Sequence, residues 1–111
     1  MKEIDIVIGD KTRKINIEVA YAKYFPLLNM LNSNLEPKYG VPGWLDIAAD
    51  IIGCLNDLGY FEDDIPVAIL LQTLPVMIDT LPSPTQLLSI LRMQYSVIKQ
   101  VAPSYTHPLG E

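Results

Sequence analysis

Histidine and cysteine occur once each in this chain of 111 residues, as His107 and Cys54. A single thiol excludes an intramolecular disulfide and any zinc site built on cysteines, and fits a reducing compartment. The single imidazole sits in the C-terminal stretch APSYTHPLGE (102–111), which has two prolines and no periodicity. No Ser-His or Cys-His pair can then be assembled on a rigid element, which argues against a hydrolase of that kind. Cys54 lies on an apolar helix face with no neighbouring base and reads as an inert thiol.

Bases are also scarce. Eight Lys and Arg face thirteen Asp and Glu, for a net charge of −5 and a pI near 4.7. This balance argues against nucleic acid, whose phosphates need a basic footprint. The imbalance is local: residues 32–82 hold one base, Lys38, against eight acids, whereas residues 1–31 hold Lys2, Lys11, Arg13, Lys14 and Lys23. Such asymmetry can steer a partner, although its ordinary meaning is a solvated face. No long apolar run is present either. The longest, Ile65 to Leu81, is broken by Pro66, Gln72, Thr73, Pro75 and Asp79, short of the ~20 residues a bilayer requires. Met1-Lys2-Glu3 leads directly toward the first strand, so no secretory leader is expected. The simplest class is a cytoplasmic, soluble protein that does not bind membranes. Yet half the residues are apolar and mean hydropathy is +0.23, which points to apolar surface covered by a partner as much as to a full core.

What is there begins with residues 4–31, around which the chain is organised. Ile4, Ile6 and Ile8 alternate with Asp5, and Ile15, Ile17 and Val19 alternate with Lys14, Asn16 and Glu18, so two half-buried strands are expected. Gly9-Asp10 supplies the tight turn between them. A lone two-stranded ribbon is only marginally stable in water, so its isoleucine face needs a helical cover. After Val19 the spacing becomes helical through Ala20, Tyr24, Leu27, Leu28 and Leu31. Pro26 predicts a short turn at 20–24 and a helix starting near itself, stopped by Asn32-Ser33-Asn34. Residues 35–43 read as a loop with a short extended piece at 39–41. Trp44 opens a helix with Ile47, Ile51, Cys54, Leu55 and Leu58 inward, Asp46, Asp50 and Asp57 outward, and Gly59 as terminator. Pro66 opens another, bearing Val67, Leu70, Leu71 and Leu74, which Pro75 kinks or splits before the all-round apolar piece 76–81. Ser83-Pro84-Thr85-Gln86 is a capped start for a last helix with Leu87, Leu88, Leu91, Tyr95, Ile98 and Val101 inward.

Chemistry is absent from these elements. Asp46, Asp50 and Asp57 share a helix face, but no histidine or oxygen-rich loop completes a metal shell. Glu62-Asp63-Asp64 lacks the spacing of a calcium loop and reads as a helix cap. Gly9, Gly40 and Gly43 make no phosphate cradle. No cofactor, metal or catalytic residue is therefore expected, and the chain reads as a non-enzyme. Tyr39, Trp44, Tyr60 and Phe61 cluster in sequence around the two ends of the acidic helix. Core duty is the common fate of such residues, but a hydrophobic centre with a polar rim is also how interfaces are built. Trp44, Tyr60, Phe61, Glu62, Asp63 and Asp64 are accordingly the candidate partner-binding residues.

The order of hairpin, helix, loop, helix pair and late helix resembles the BTB/POZ family, including its compact elongin C-like members. That family's VLAARSPYFRAML segment is matched by Val19, Ala20, Ala22, Lys23, Met30 and Leu31, with Leu27 where the family has its Phe, and its elLraAdyLqi segment by Gln86, Leu87, Leu88, Leu91, Arg92, Tyr95 and Ile98. Residues 47–58 are similar to its middle helix, whereas Tyr24-Phe25-Pro26-Leu27 replaces its Ser-Pro-Tyr-Phe. The resemblance covers about residues 4–100. It implies a non-enzymatic interaction domain that homodimerises or joins a scaffold to a receptor. The chain also resembles phage tail assembly chaperones, small acidic proteins with an N-terminal hairpin and amphipathic helices, which implies binding of an apolar partner segment. An apolar small-molecule carrier is a third reading, from the greasy helices alone. The expected fold is α+β, a BTB/POZ-like N-terminal β-hairpin on a bundle of four to five helices. One domain over 1–102 is followed by a flexible tail over 103–111, and the expected partner is another protein or a second copy.

Overall fold

The structure is a computed structural model of the whole chain, and it describes residues 2–8, 11–63, 65–80 and 83–106. Two antiparallel strands, β1 (Glu3–Ile8) and β2 (Lys11–Asn16), form the only sheet among the described residues. They pair in the register Ile4 to Ile15 and Ile6 to Arg13. The Gly9-Asp10 turn lies outside the described residues. Ile6 is buried and Ile4 and Ile15 are half-buried, so the isoleucine face meets the helices as the alternation requires.

The second strand ends sooner than its alternation predicts. Asn16 accepts the Glu18 N–H on its side-chain oxygen at 2.7 Å, which caps a helical turn, α1 (Ile17–Val19). Ile17 and Val19 therefore belong to a helix and not to the strand. A π-helical segment, Ala20–Tyr24, joins α1 to α2 (Phe25–Tyr39), with Pro26 in the first turn of α2. That start is where proline is tolerated. The end differs from expectation, because α2 runs through Asn32-Ser33-Asn34 and past Pro37. Leu27, Leu31 and Leu35, at i, i+4 and i+8, are all fully buried, each contributing about 1.5–3 kcal/mol. Together they outweigh the roughly 3 kcal/mol of an interior proline. Asn34 donates to the Met30 carbonyl at 2.8 Å, so its amide supports the helix it was expected to stop. The expected loop shrinks to residues 40–42, which include a cis Val41–Pro42 bond, and no strand forms at 39–41.

Helix α3 (Gly43–Leu58) follows the sequence closely. Ile51, Cys54 and Leu55 are buried, Asp46, Asp50 and Asp57 are exposed, and Gly59 ends it in the left-handed region at φ 95°. Helix α4 (Val67–Thr80) is one element, not two, although Pro75 removes the N–H that would reach Leu71. Leu70 and Leu74 before it and Met77 and Ile78 after it lie on one buried stripe that holds both halves in line. The piece after Pro75 is not buried all round: Val76, Asp79 and Thr80 face solvent. Helix α5 (Pro84–Thr106) starts as read, with Ser83 Oγ accepting the Gln86 N–H at 3.2 Å, and buries Leu87, Leu91, Tyr95 and Ile98. Its helical backbone passes residue 102, so 103–106 is helix where a tail was expected. The rest of that tail, with His107, lies outside the described residues.

The fold is thus mostly helical with a small N-terminal hairpin, an α+β arrangement. Helix α2 packs on α3 and α4, and α3 packs on α5 and β1. One core cluster runs from Ile6 through α2 and α3 to Ile98.

Candidate functional site

Pro26 follows an irregular stretch of backbone, the π-helical segment Ala20–Tyr24. It cannot donate to the Ala22 carbonyl, and in the turn before it the Phe25 N–H reaches back five residues to Ala20. Ala20, fully buried, anchors the widened turn. On its outer side stand Tyr21, 66% exposed, and Phe25, 37% exposed, with ring centroids 5.3 Å apart. Phe25 meets Tyr24 edge-on at 5.4 Å, and Tyr24 lies 6.3 Å from Phe61. Phe61 meets Tyr60 at 5.4 Å, and Tyr60 meets Tyr95 of α5 at 6.4 Å. A row of six aromatic rings therefore runs from the surface into the core.

The turn after α3 is locked to this row. Gly59, with positive φ, lets its own N–H bond the Asn56 carbonyl at 3.0 Å and the Tyr60 N–H bond that of Leu55 at 2.9 Å, a glycine-terminated helix end. Glu62 and Asp63 N–H groups then return to the Gly59 carbonyl at 2.9 and 3.0 Å. Lys23, on the π-helical segment, donates to the carbonyls of Tyr60 (2.8 Å) and Asp63, with its ammonium 4.6 Å from the Tyr60 ring centroid. The Asp63 carboxylate accepts the Tyr95 hydroxyl and lies 3.5 Å from Lys99 Nζ. Burial raises the Tyr60 hydroxyl above its ordinary pKa, and burial followed by the bond and charge of Asp63 raises that of Tyr95. Burial likewise raises the Cys54 thiol. These groups stay protonated at neutral pH, which suits structural contacts and not nucleophilic or base chemistry.

A cleft of about 280 Å³ opens between the hairpin and this turn. Ile15, Val19 and Phe61 supply its apolar surface, and Glu3, Lys14 and Glu62 its charge. Two further groups of exposed apolar side chains lie elsewhere: Tyr39, Val41 and Leu45 where α2 turns into α3, and Met93 and Val97 one turn apart on α5.

The candidate residues read from sequence divide accordingly. Tyr60 (0% exposed) and Phe61 (7%) are core, as is Trp44, which sits at the far end of α3 from them. Glu62 is exposed, Asp63 is half-buried and held by Tyr95 and Lys99, and Asp64 lies outside the described residues. Tyr60 and Phe61 are buried because Lys23 and the Gly59 turn fold them back under α5 and the π-helical segment. The exposed aromatic pair, Tyr21 and Phe25, was not singled out from sequence. A signal existed: the two stand at i, i+4 and off the inward stripe of Ala20, Tyr24, Leu27 and Leu31.

No three His, Cys, Asp or Glu side chains converge among the described residues, and no helix there is long and apolar enough to cross a membrane. Comparison of the chain with protein-family models, with curated proteins and with solved structures finds no match in any of the three.

Proposed function

We propose that this chain is a non-enzymatic protein–protein interaction domain, working in the cytoplasm as a BTB/POZ-like adaptor or dimerisation module. The observation that carries this reading is the exposed Tyr21–Phe25 pair on a π-helical turn. Aromatic side chains supply contact area at little entropic cost and are enriched at the centres of interfaces, and π-turns recur at functional positions. The turn is held from beneath by Lys23, so the pair stands on a rigid base. The phage tail chaperone-like reading draws separate support from Met93 and Val97, which leave apolar surface on the long helix α5.

Light scattering behind size exclusion over about a hundredfold concentration range tests the proposal, with the double variant Tyr21→Ser, Phe25→Ser beside the parent. We expect the parent to self-associate, or to retain a protein from its native host, and the variant to do neither while melting at the same temperature. Equal behaviour of parent and variant removes the aromatic pair as the contact surface.

A further inference from the structure

Among the described residues no strand pairs with the outer edge of β2. The Ile17 N–H donates to the Lys2 carbonyl at 3.0 Å, which continues the ladder beyond the pair of Glu3 and Asn16. Bonded and non-bonded pairs alternate in an antiparallel ribbon. Ile4 with Ile15 and Ile6 with Arg13 therefore exchange the bonds, and Thr12 and Lys14 turn their N–H and C=O away from β1. Helix α3 packs against β1, and among the described residues β1 is the one strand that pairs with β2. Outward backbone groups on a strand like this are a template for another strand.

Charge selects what can use it. The strand Lys11–Asn16 carries three bases and no acid, and Glu3–Ile8 carries two acids and no base. The one cross-strand ion pair described between them is Lys14 Nζ to Asp5 Oδ1, at 3.0 Å on the exposed face. A second copy docking β2 on β2 would bring together two strands that each carry three bases and no acid, and like charges on facing strands repel. Lysine on an edge strand is a common guard against self-pairing. Here the guard is selective, because it rejects a basic strand and attracts an acidic one.

We infer that the free edge of β2 binds an extended segment of another protein in which acidic and β-branched residues alternate, the pattern β1 already offers it on the other side. Strand addition supplies main-chain hydrogen bonds at Thr12 and Lys14, and an acid opposite Lys14 extends the Asp5–Lys14 pair into a three-membered row. The inference rests on the reading of this chain as an interaction domain, but it uses a surface other than the Tyr21–Phe25 patch.

The test is fluorescence anisotropy on the full chain with three labelled peptides: the sequence Glu3–Ile8, its counterpart with Lys at both acidic positions, and a proline-interrupted version. The acidic peptide is expected to bind saturably, about tenfold or more tighter than the basic one, and the interrupted one not at all. Lys14→Glu should reverse that preference. Thr12→Pro, which removes an outward N–H and no bond to β1, should abolish binding at an unchanged melting temperature. Should that variant fail to fold, amide exchange on the parent chain decides, since strand addition slows exchange at Thr12 and Lys14 specifically. Equal binding of acidic and basic peptides, no binding, or binding without that protection overturns the inference and leaves the lysines as guards only. The Tyr21→Ser, Phe25→Ser variant should bind the peptide like the parent. If the edge fails while the parent still associates through that patch, strand addition falls and the interaction reading stands.

Discussion

The two ends of α3 begin from similar residues and finish differently. At one end Tyr39-Gly40-Val41-Pro42 leads into the helix, and at the other Gly59-Tyr60-Phe61-Glu62 leads out of it. Both turns place a glycine at positive φ, 71° for Gly40 and 95° for Gly59. Yet Val41 stands in solvent and a Cβ on Gly40 would meet nothing within 4 Å, whereas Tyr60 and Phe61 are buried and a Cβ on Gly59 would touch Asp63 at 3.6 Å. The difference is where a lysine sends its hydrogen bonds. Lys23 reaches from a distant part of the chain to the carbonyls of Tyr60 and Asp63, with its ammonium 4.6 Å from the Tyr60 ring centroid, while at the other end Lys38 lies 5.9 Å from the Tyr39 ring centroid but donates to the Ile78 carbonyl of α4 at 2.7 Å. A turn becomes part of the core when a neighbouring element satisfies its backbone polar groups, because only then can its aromatic residues be buried without stranding those groups.

Breaking this contrast should have its largest effect at Tyr60. Tyr60→Ala is expected to cost about 3–5 kcal/mol in denaturant unfolding, against about 0.5 kcal/mol or less for the half-exposed Tyr39→Ala. Tyr60→Phe separates ring from hydroxyl. The hydroxyl is buried without a hydrogen bond among the described residues, so its removal should leave stability unchanged or higher. Equal losses for the two alanine variants would mean that the two turns are equally loose.

The open turn should be sensitive to backbone where it is indifferent to side chains. Gly40 combines φ 71° with ψ −173°, a region open essentially to glycine alone, so Gly40→Ala should cost about 1–3 kcal/mol although there is room for the methyl group. A melting temperature equal to the parent's would show that the turn relaxes freely.

The smallest effect sharpens the closed turn. Tyr60 and Tyr95 are both raised above their ordinary value of 10.0. Above pH 10 the unfolded chain has released these protons while the folded chain still holds them, so stability is full below that pH and falls as pH rises through it. The slope is up to about 1.4 kcal/mol per pH unit for each tyrosine. Tyr95→Phe should remove its share of that slope. Urea midpoints at a series of pH values on either side of 10 measure it, and identical slopes for parent and variant would remove Tyr95 from the locked turn.

Legibility in the sequence followed the range of the interactions. Ser83 before Pro84, Gly59 after Leu58 and the alternating Ile4, Ile6 and Ile15 each act over a few residues, and each stands where the pattern put it. Asn16, Pro37 and Pro75 misled because local preference met a competing term. At Asn16 a side-chain cap ended the strand, at Pro37 the buried Leu27, Leu31 and Leu35 before it outweighed a lost hydrogen bond, and at Pro75 Leu70 and Leu74 on one side with Met77 and Ile78 on the other did the same. The candidate site was half legible: the aromatic residues near Gly59 were visible, but whether they faced inward was not.

Composition and periodicity alone determined an α+β chain with an N-terminal hairpin, a capped last helix and a solvated acidic face on α3, since each depends on residues close in sequence. Only the tertiary structure decided that Tyr60 and Phe61 are core, that Tyr21 and Phe25 are surface, and that among the described residues no strand pairs with the outer edge of β2. Those outcomes depend on Lys23 meeting a turn 37 residues away and on α3 choosing β1 over β2, and no local pattern encodes a contact at that separation.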